Sequence, residues 1–84
     1  MSFGKKLKYL REKDNLTQST IANFIGVKIN TYSQYENELR TPNYETVKIL
    51  SKYFKVSTDY LLDDDFDTDF ALVDYFLNEI KMTT

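Results

Sequence analysis

The run from Leu16 to Pro42 reads LTQSTIANFIGVKINTYSQYENELRTP, and it carries two helices and the turn between them. Thr17 stands ahead of a helix-compatible stretch, where a hydroxyl can cap free backbone N–H groups. Ile21, Ala22, Phe24 and Ile25 are its apolar positions. Gly26 ends it, since glycine takes a positive φ without a Cβ penalty. After this reversal, residues Lys28 to Asn37 read as a second helix of the pair. Tyr32 and Tyr35 are three apart and so share its inward face. Pro42 cannot lie inside a helix and closes the stretch. Two short helices joined by a tight turn, the second exposing a polar face, is an arrangement that places side chains in the major groove of DNA.

The flanks extend the helical pattern. Phe3, Leu7 and Leu10, with Tyr9 beside them, recur at helical spacing with lysines between, which predicts an amphipathic helix ending near Asp14 and Asn15. Asn43 is a cap for a further helix with Val47, Leu50 and Phe54 inward and Ile49 and Tyr53 alongside. Ser57 caps a short one from Thr58 to Leu62. Almost no β-alternation is present, so the fold class expected is all-α. Residues 1–62 form the expected domain and residues 63–69 an acidic linker. Phe66, Phe70, Val73, Leu77 and Ile80 follow a 4-3-4-3 spacing, which makes residues 70–84 an amphipathic sixth helix. That stripe either folds back on its own domain or serves dimerisation, through Phe66, Phe70, Val73, Leu77 and Ile80.

Composition narrows the function. Eighty-four residues make one small domain whose stability is marginal, so association is a plausible supplement. There is no cysteine, hence no disulfide framework, and no histidine, which removes the usual general base and the commonest zinc ligand. The first residues lack the apolar run of a signal peptide, and no apolar stretch approaches the ~18 residues of a membrane span. A soluble cytoplasmic protein is the expectation. The net charge of −2 hides an asymmetry: residues 1–58 carry a balance of +5, and residues 59–84 one of −7. A basic binding part and an acidic appendage fit that division.

Several ordered signals together carry a family resemblance. They are Leu16-Thr17-Gln18, Ala22, Gly26-Val27, Ser33-Gln34-Tyr35-Glu36-Asn37, Thr41-Pro42, and the run from Val56 to Leu62. Over roughly residues 3–62 the chain resembles the Cro/lambda-repressor-type helix-turn-helix family, also called the xenobiotic-response-element family. The resemblance implies a five-helix domain, double-stranded DNA as partner, and bacterial or phage transcriptional repression. It implies that Arg11 and Glu36 form an ion pair tying the first helix to the third, and that the third helix is the recognition helix. Gln18 matches a position that hydrogen-bonds a DNA phosphate, helped by free N–H groups at the helix start.

With Tyr32 and Tyr35 inward, the outward residues near the start of that helix are Lys28, Ile29, Asn30, Ser33 and Gln34. Asn and Gln pair bidentately with adenine, and an exposed Ile can meet thymine methyl groups. Ile29, Asn30, Gln34 and Ser33 are therefore the candidates for base contacts. Gln18, Thr17, Lys28, Asn37, Arg40, Thr41 and Asn43 are the candidates for phosphate contacts. Ala22 and Gly26 are structural, where helices cross closely and where the chain reverses. Two positions depart from the family: Lys28 stands where a Ser or Thr cap is common, and Glu38 where Gly commonly follows Glu-Asn. Glu38 also brings a negative charge near the phosphate candidates.

Rival readings are weaker. Asp63, Asp65, Asp67 and Asp69 alternate like the start of a calcium loop, but Thr68 stands where that loop needs Gly and Asp74 replaces its bidentate Glu. Catalysis would rest on carboxylates or Tyr, and no pair is placed for it. No cofactor, metal or enzymatic activity is expected. The serious alternative is a protein-binding module of the same fold, an antitoxin or adaptor whose C-terminal helix engages a partner. The leading expectation is a sequence-specific repressor acting as a homodimer on a near-palindromic operator.

Overall fold

The computed structural model describes residues 1–63. The expected sixth helix, its dimerisation stripe Phe66 to Ile80, and all but the first residue of the acidic linker lie outside the described residues. Within them the chain is helical: α1 (Phe3–Lys13), α2 (Gln18–Ile25), α3 (Ile29–Glu36), α4 (Tyr44–Phe54) and α5 (Thr58–Leu62).

Short-range chemistry sets the helix starts. Thr17 Oγ1 accepts from the Thr20 amide at 3.1 Å, Asn43 Oδ1 from Thr46 at 2.9 Å, and Ser57 Oγ from Tyr60 at 2.9 Å. Each side chain satisfies one of the amides that a helix start leaves without an acceptor. Lys28 occupies the cap of α3 and makes no such bond. That helix runs from Ile29, one residue later than the sequence pattern suggests.

The ends of α1 to α4 are each followed within two residues by a left-handed residue. Gly26 (φ 79°) ends α2, and the Val27 amide then reaches back to the Ala22 carbonyl at 3.0 Å. Nothing lies within 4 Å of where a Gly26 Cβ would stand, so glycine is needed there for its conformation and not for space. Asn15, Glu38 and Lys55 take the same conformation with a side chain present (φ 57°, 61° and 58°). A residue with a Cβ is disfavoured there by about 1–2 kcal/mol, with Asn the most tolerant.

The core gathers Leu7 and Leu10 from α1, Ile21 and Ala22 from α2, Tyr32 and Tyr35 from α3, and Val47, Leu50 and Phe54 from α4. Val56, Tyr60 and Leu61 close it from the α5 side. Phe24 and Tyr53 pack ring to ring at the α2–α4 edge, with centroids 4.5 Å apart. Lys6, one of the lysines between the apolar positions of α1, is fully buried. Its ammonium donates to the Tyr60 and Asp63 carbonyls and lies 4.9 Å from the centre of the Tyr60 ring. A cation at the C-terminal end of α5 also meets the negative end of that helix. Lys6 thus fastens α1 to α5.

Candidate nucleic-acid interface

The α2–turn–α3 unit is held from beneath by one polar cluster. Arg11 and Glu36 form a bidentate ion pair, Nε to Oε2 at 2.7 Å and Nη2 to Oε1 at 3.1 Å. Arg11 Nη1 also donates to the Leu16 carbonyl at 3.0 Å, which anchors the approach to α2. Gln18 Nε2 donates to Glu36 Oε1 at 3.1 Å. One carboxylate therefore joins the end of α1, the start of α2 and the last turn of α3.

Burial works to raise the pKa of Glu36, but the Arg11 guanidinium, the Tyr32 hydroxyl and the Gln18 amide outweigh it and hold the carboxyl below its ordinary value. The hydrogen bond to Glu36 raises Arg11 in turn. Tyr32 is pushed up, first by burial and then by the neighbouring carboxylate. Its hydroxyl is enclosed beside the cluster without a hydrogen bond of ordinary geometry.

On this base, Tyr32 and Tyr35 point inward and stack edge to face, with centroids 6.4 Å apart. The opposite side of α3 is thereby turned outward. Asn30 and Gln34 are exposed, and Ile29 keeps 48% of its surface accessible, too much for a core residue. Ser33 is half-buried, and its hydroxyl accepts from Asn37 Nδ2 at 3.3 Å. Base-reading candidates thus occupy one continuous face, with Ser33 at its margin.

The phosphate candidates stand at the starts of α2, α3 and α4 and after the end of α3. Lys28, Asn37, Arg40, Thr41 and Asn43 are exposed, and Thr17 is exposed beside half-buried Gln18. Thr17 and Asn43 use their oxygens as caps. Asn43 keeps its amide hydrogens free for a further acceptor, and Gln18 keeps one beyond the bond to Glu36. The Thr20 amide is taken by the Thr17 cap, and the amides ahead of it have no acceptor within the helix, as at any helix start.

Three features of the neighbourhood were not read from the sequence. Gly4 is needed because a Cβ there would stand 2.2 Å from the Glu36 carbonyl oxygen. Glu38 turns its carboxylate to the Gly4 amide at 3.2 Å. Gln18 is bound into the Arg11–Glu36 cluster. The one available signal was the acidic residue at position 38 where the family pattern favours glycine.

Comparison with known proteins agrees with this fold. A family model described as Helix-turn-helix matches residues 7–61. The HTH-type transcriptional regulator ImmR of Bacillus subtilis is 43% identical over 65 residues, covering 77% of this chain and 51% of ImmR. The cryptic phage CTXphi transcriptional repressor RstR of Vibrio cholerae is 40% identical over 62 residues, covering 74% of this chain and 56% of RstR. The chain therefore spans about half the length of these relatives. The crystal structure of the P22 c2 repressor in complex with a synthetic operator superposes with a TM-score of 0.72 at 32% identity, covering 77% of this chain and 98% of that one.

Proposed function

The chain belongs to the helix-turn-helix family, and from that premise we propose that it is a sequence-specific double-stranded DNA-binding transcriptional regulator, a repressor that acts by occupying an operator. The observation that carries this reading is the outward face of α3, where Ile29, Asn30 and Gln34 stand together on a helix locked from beneath by Tyr32, Tyr35 and the Arg11–Glu36 pair. The operator complex of the similar P22 c2 repressor supports it.

In this reading α3 enters the major groove. Ile29, Asn30 and Gln34, with Ser33 beside them, meet base edges, each bidentate pair giving about 1–3 kcal/mol of discrimination. Gln18, Thr17, Lys28, Asn37, Arg40, Thr41 and Asn43 meet phosphates, which set register and orientation. The protein acts as a homodimer, whose two recognition helices read half-sites about 34 Å apart on a near-palindromic operator. The C-terminal stripe from Phe66 to Ile80 is proposed to join the two copies. Such a regulator works in the cytoplasm and needs no catalytic group of its own.

The test uses the DNA upstream of its own gene, searched for inverted repeats, in an anisotropy titration over a range of salt. Gln34→Ala is expected to relax base preference, and Gln18→Ala to weaken all sequences alike. Equal wild-type affinity for every duplex would refute the specific-repressor reading.

A further inference from the structure

We infer that Glu38 is a positioning residue for DNA binding, whose carboxylate latches the turn after α3 to the first turn of α1 and so holds the phosphate-facing residues of that turn in place. This inference rests on the DNA-binding reading above and assigns Glu38 a part in it that opposes its charge.

The latch has two sides. On α1, Ser2 is the cap residue but makes no side-chain cap bond, so the first-turn amides need another acceptor. Glu38 Oε1 supplies one, accepting from the Gly4 amide at 3.2 Å across 34 residues of sequence. A carboxylate also suits the positive end of the α1 dipole. On the other side, the backbones abut: a Cβ on Gly4 would stand 2.2 Å from the Glu36 carbonyl oxygen and 2.7 Å from Glu38 Cγ. Gly4 and Glu38 therefore form one joint, a residue without a side chain fitted against a residue whose side chain caps it.

The joint lies at the start of the turn that bears the phosphate candidates. Glu38 takes the left-handed conformation (φ 61°), and the Leu39 and Arg40 amides then fold back onto the Gln34 carbonyl at 2.9 and 3.3 Å. Asn37, Arg40 and Thr41 stand exposed on either side of it. Glycine would meet the backbone requirement with less strain. What glycine lacks is the acceptor. The Ser2 hydroxyl beside the carboxylate, then the Gly4 amide, hold the Glu38 pKa below its ordinary value, with Lys5 adding to the effect. The carboxylate of this exposed residue is thus engaged with the α1 start.

Two variants separate the latch from simple repulsion. Glu38→Gln keeps an acceptor and removes the charge. Glu38→Gly removes both and suits the backbone. The full chain is titrated with a random-sequence 30-base-pair duplex across a salt series, and Gly4 amide exchange is followed by NMR. The latch requires Gly4 protection to persist in Glu38→Gln and to be lost in Glu38→Gly. It further requires Glu38→Gln to bind at least as tightly as wild type. Glu38→Gly must bind more weakly despite its lost negative charge, with a log K against log salt slope shallower by about 0.9 for each phosphate contact released. If Glu38→Gly binds as tightly as Glu38→Gln, the charge acted only as a repulsion and the inference is overturned while DNA binding stands. If the wild-type chain shows no salt-dependent binding to the duplex, the DNA reading fails and the inference with it.

Discussion

Replacing Arg11 with Met removes the guanidinium but keeps most of the side chain's apolar length, and it isolates the contribution of the ion pair beneath the recognition helix. The variant leaves the Glu36 carboxylate, whose side chain is only 3% exposed, with the Gln18 amide and the nearby Tyr32 hydroxyl. Breaking a buried pair from one side costs about 3–5 kcal/mol. The Arg11 side chain is 13% exposed, so water reaches the vacated space and the lower end of that range, about 3 kcal/mol, applies. A domain of about 60 residues has only roughly 3–9 kcal/mol of stability in total. The variant is therefore expected to lose a third or more of it and to melt more than about 10 °C lower.

The effect depends on pH with a definite sign. In the wild type the folded-state pKa of Glu36 lies below its unfolded value. The stabilisation is thus fully present above the unfolded carboxylate pKa of about 4.3 and is lost as pH falls through the folded value. In Arg11→Met, burial is opposed only by the Tyr32 hydroxyl and the Gln18 amide, and the folded-state pKa rises from its wild-type position. The deficit relative to wild type is then largest at pH 7 and shrinks on acidification toward pH 4. Urea and thermal unfolding followed by circular dichroism at pH 7 and pH 4.5 measure both quantities. A variant within about 0.5 kcal/mol of wild type at pH 7 would refute the reasoning. So would an equal deficit at the two pH values.

The two glycines are expected to fail for different reasons. Gly26→Ala meets open space and suffers only from its positive φ, so a loss of about 1–2 kcal/mol in chemical denaturation is expected. Gly4→Ala drives a methyl into backbone and must displace α1, so its amide spectrum should change throughout the α1–α3 contact, where that of Gly26→Ala changes only near the turn. Lys6→Met keeps the buried chain but leaves the Tyr60 and Asp63 carbonyls without their ammonium donor. A loss of about 1–3 kcal/mol is expected, with hydrogen exchange rising first in α5. Unchanged protection of α5 would remove Lys6 from that role.

Much of the architecture could be read locally. Thr17, Asn43 and Ser57 cap helices through bonds that reach three residues along the chain, and Gly26 reverses the chain through its own φ. Tyr32 and Tyr35 could be turned inward from their spacing alone, and that orientation sets Ile29, Asn30 and Gln34 outward. Interactions of this kind depend on helical geometry over one turn, which is why composition and period are enough to locate them.

Local sequence chemistry therefore specified the all-α class, the extents of α1 to α5 to within about two residues, and the outward face of α3. Only the tertiary structure decided that Lys6 is buried against the end of α5, that Gly4 is the point where α1 meets the α3 terminus, and that Glu38 caps α1. It also bound Gln18 into the Arg11–Glu36 pair. The physical reason is separation along the chain: Lys6 meets a carbonyl 54 residues away, and Gly4 a carboxylate 34 residues away. No period in the sequence encodes such meetings. A lysine on an amphipathic helix and an acid after a helix end read as solvated until another element is packed against them.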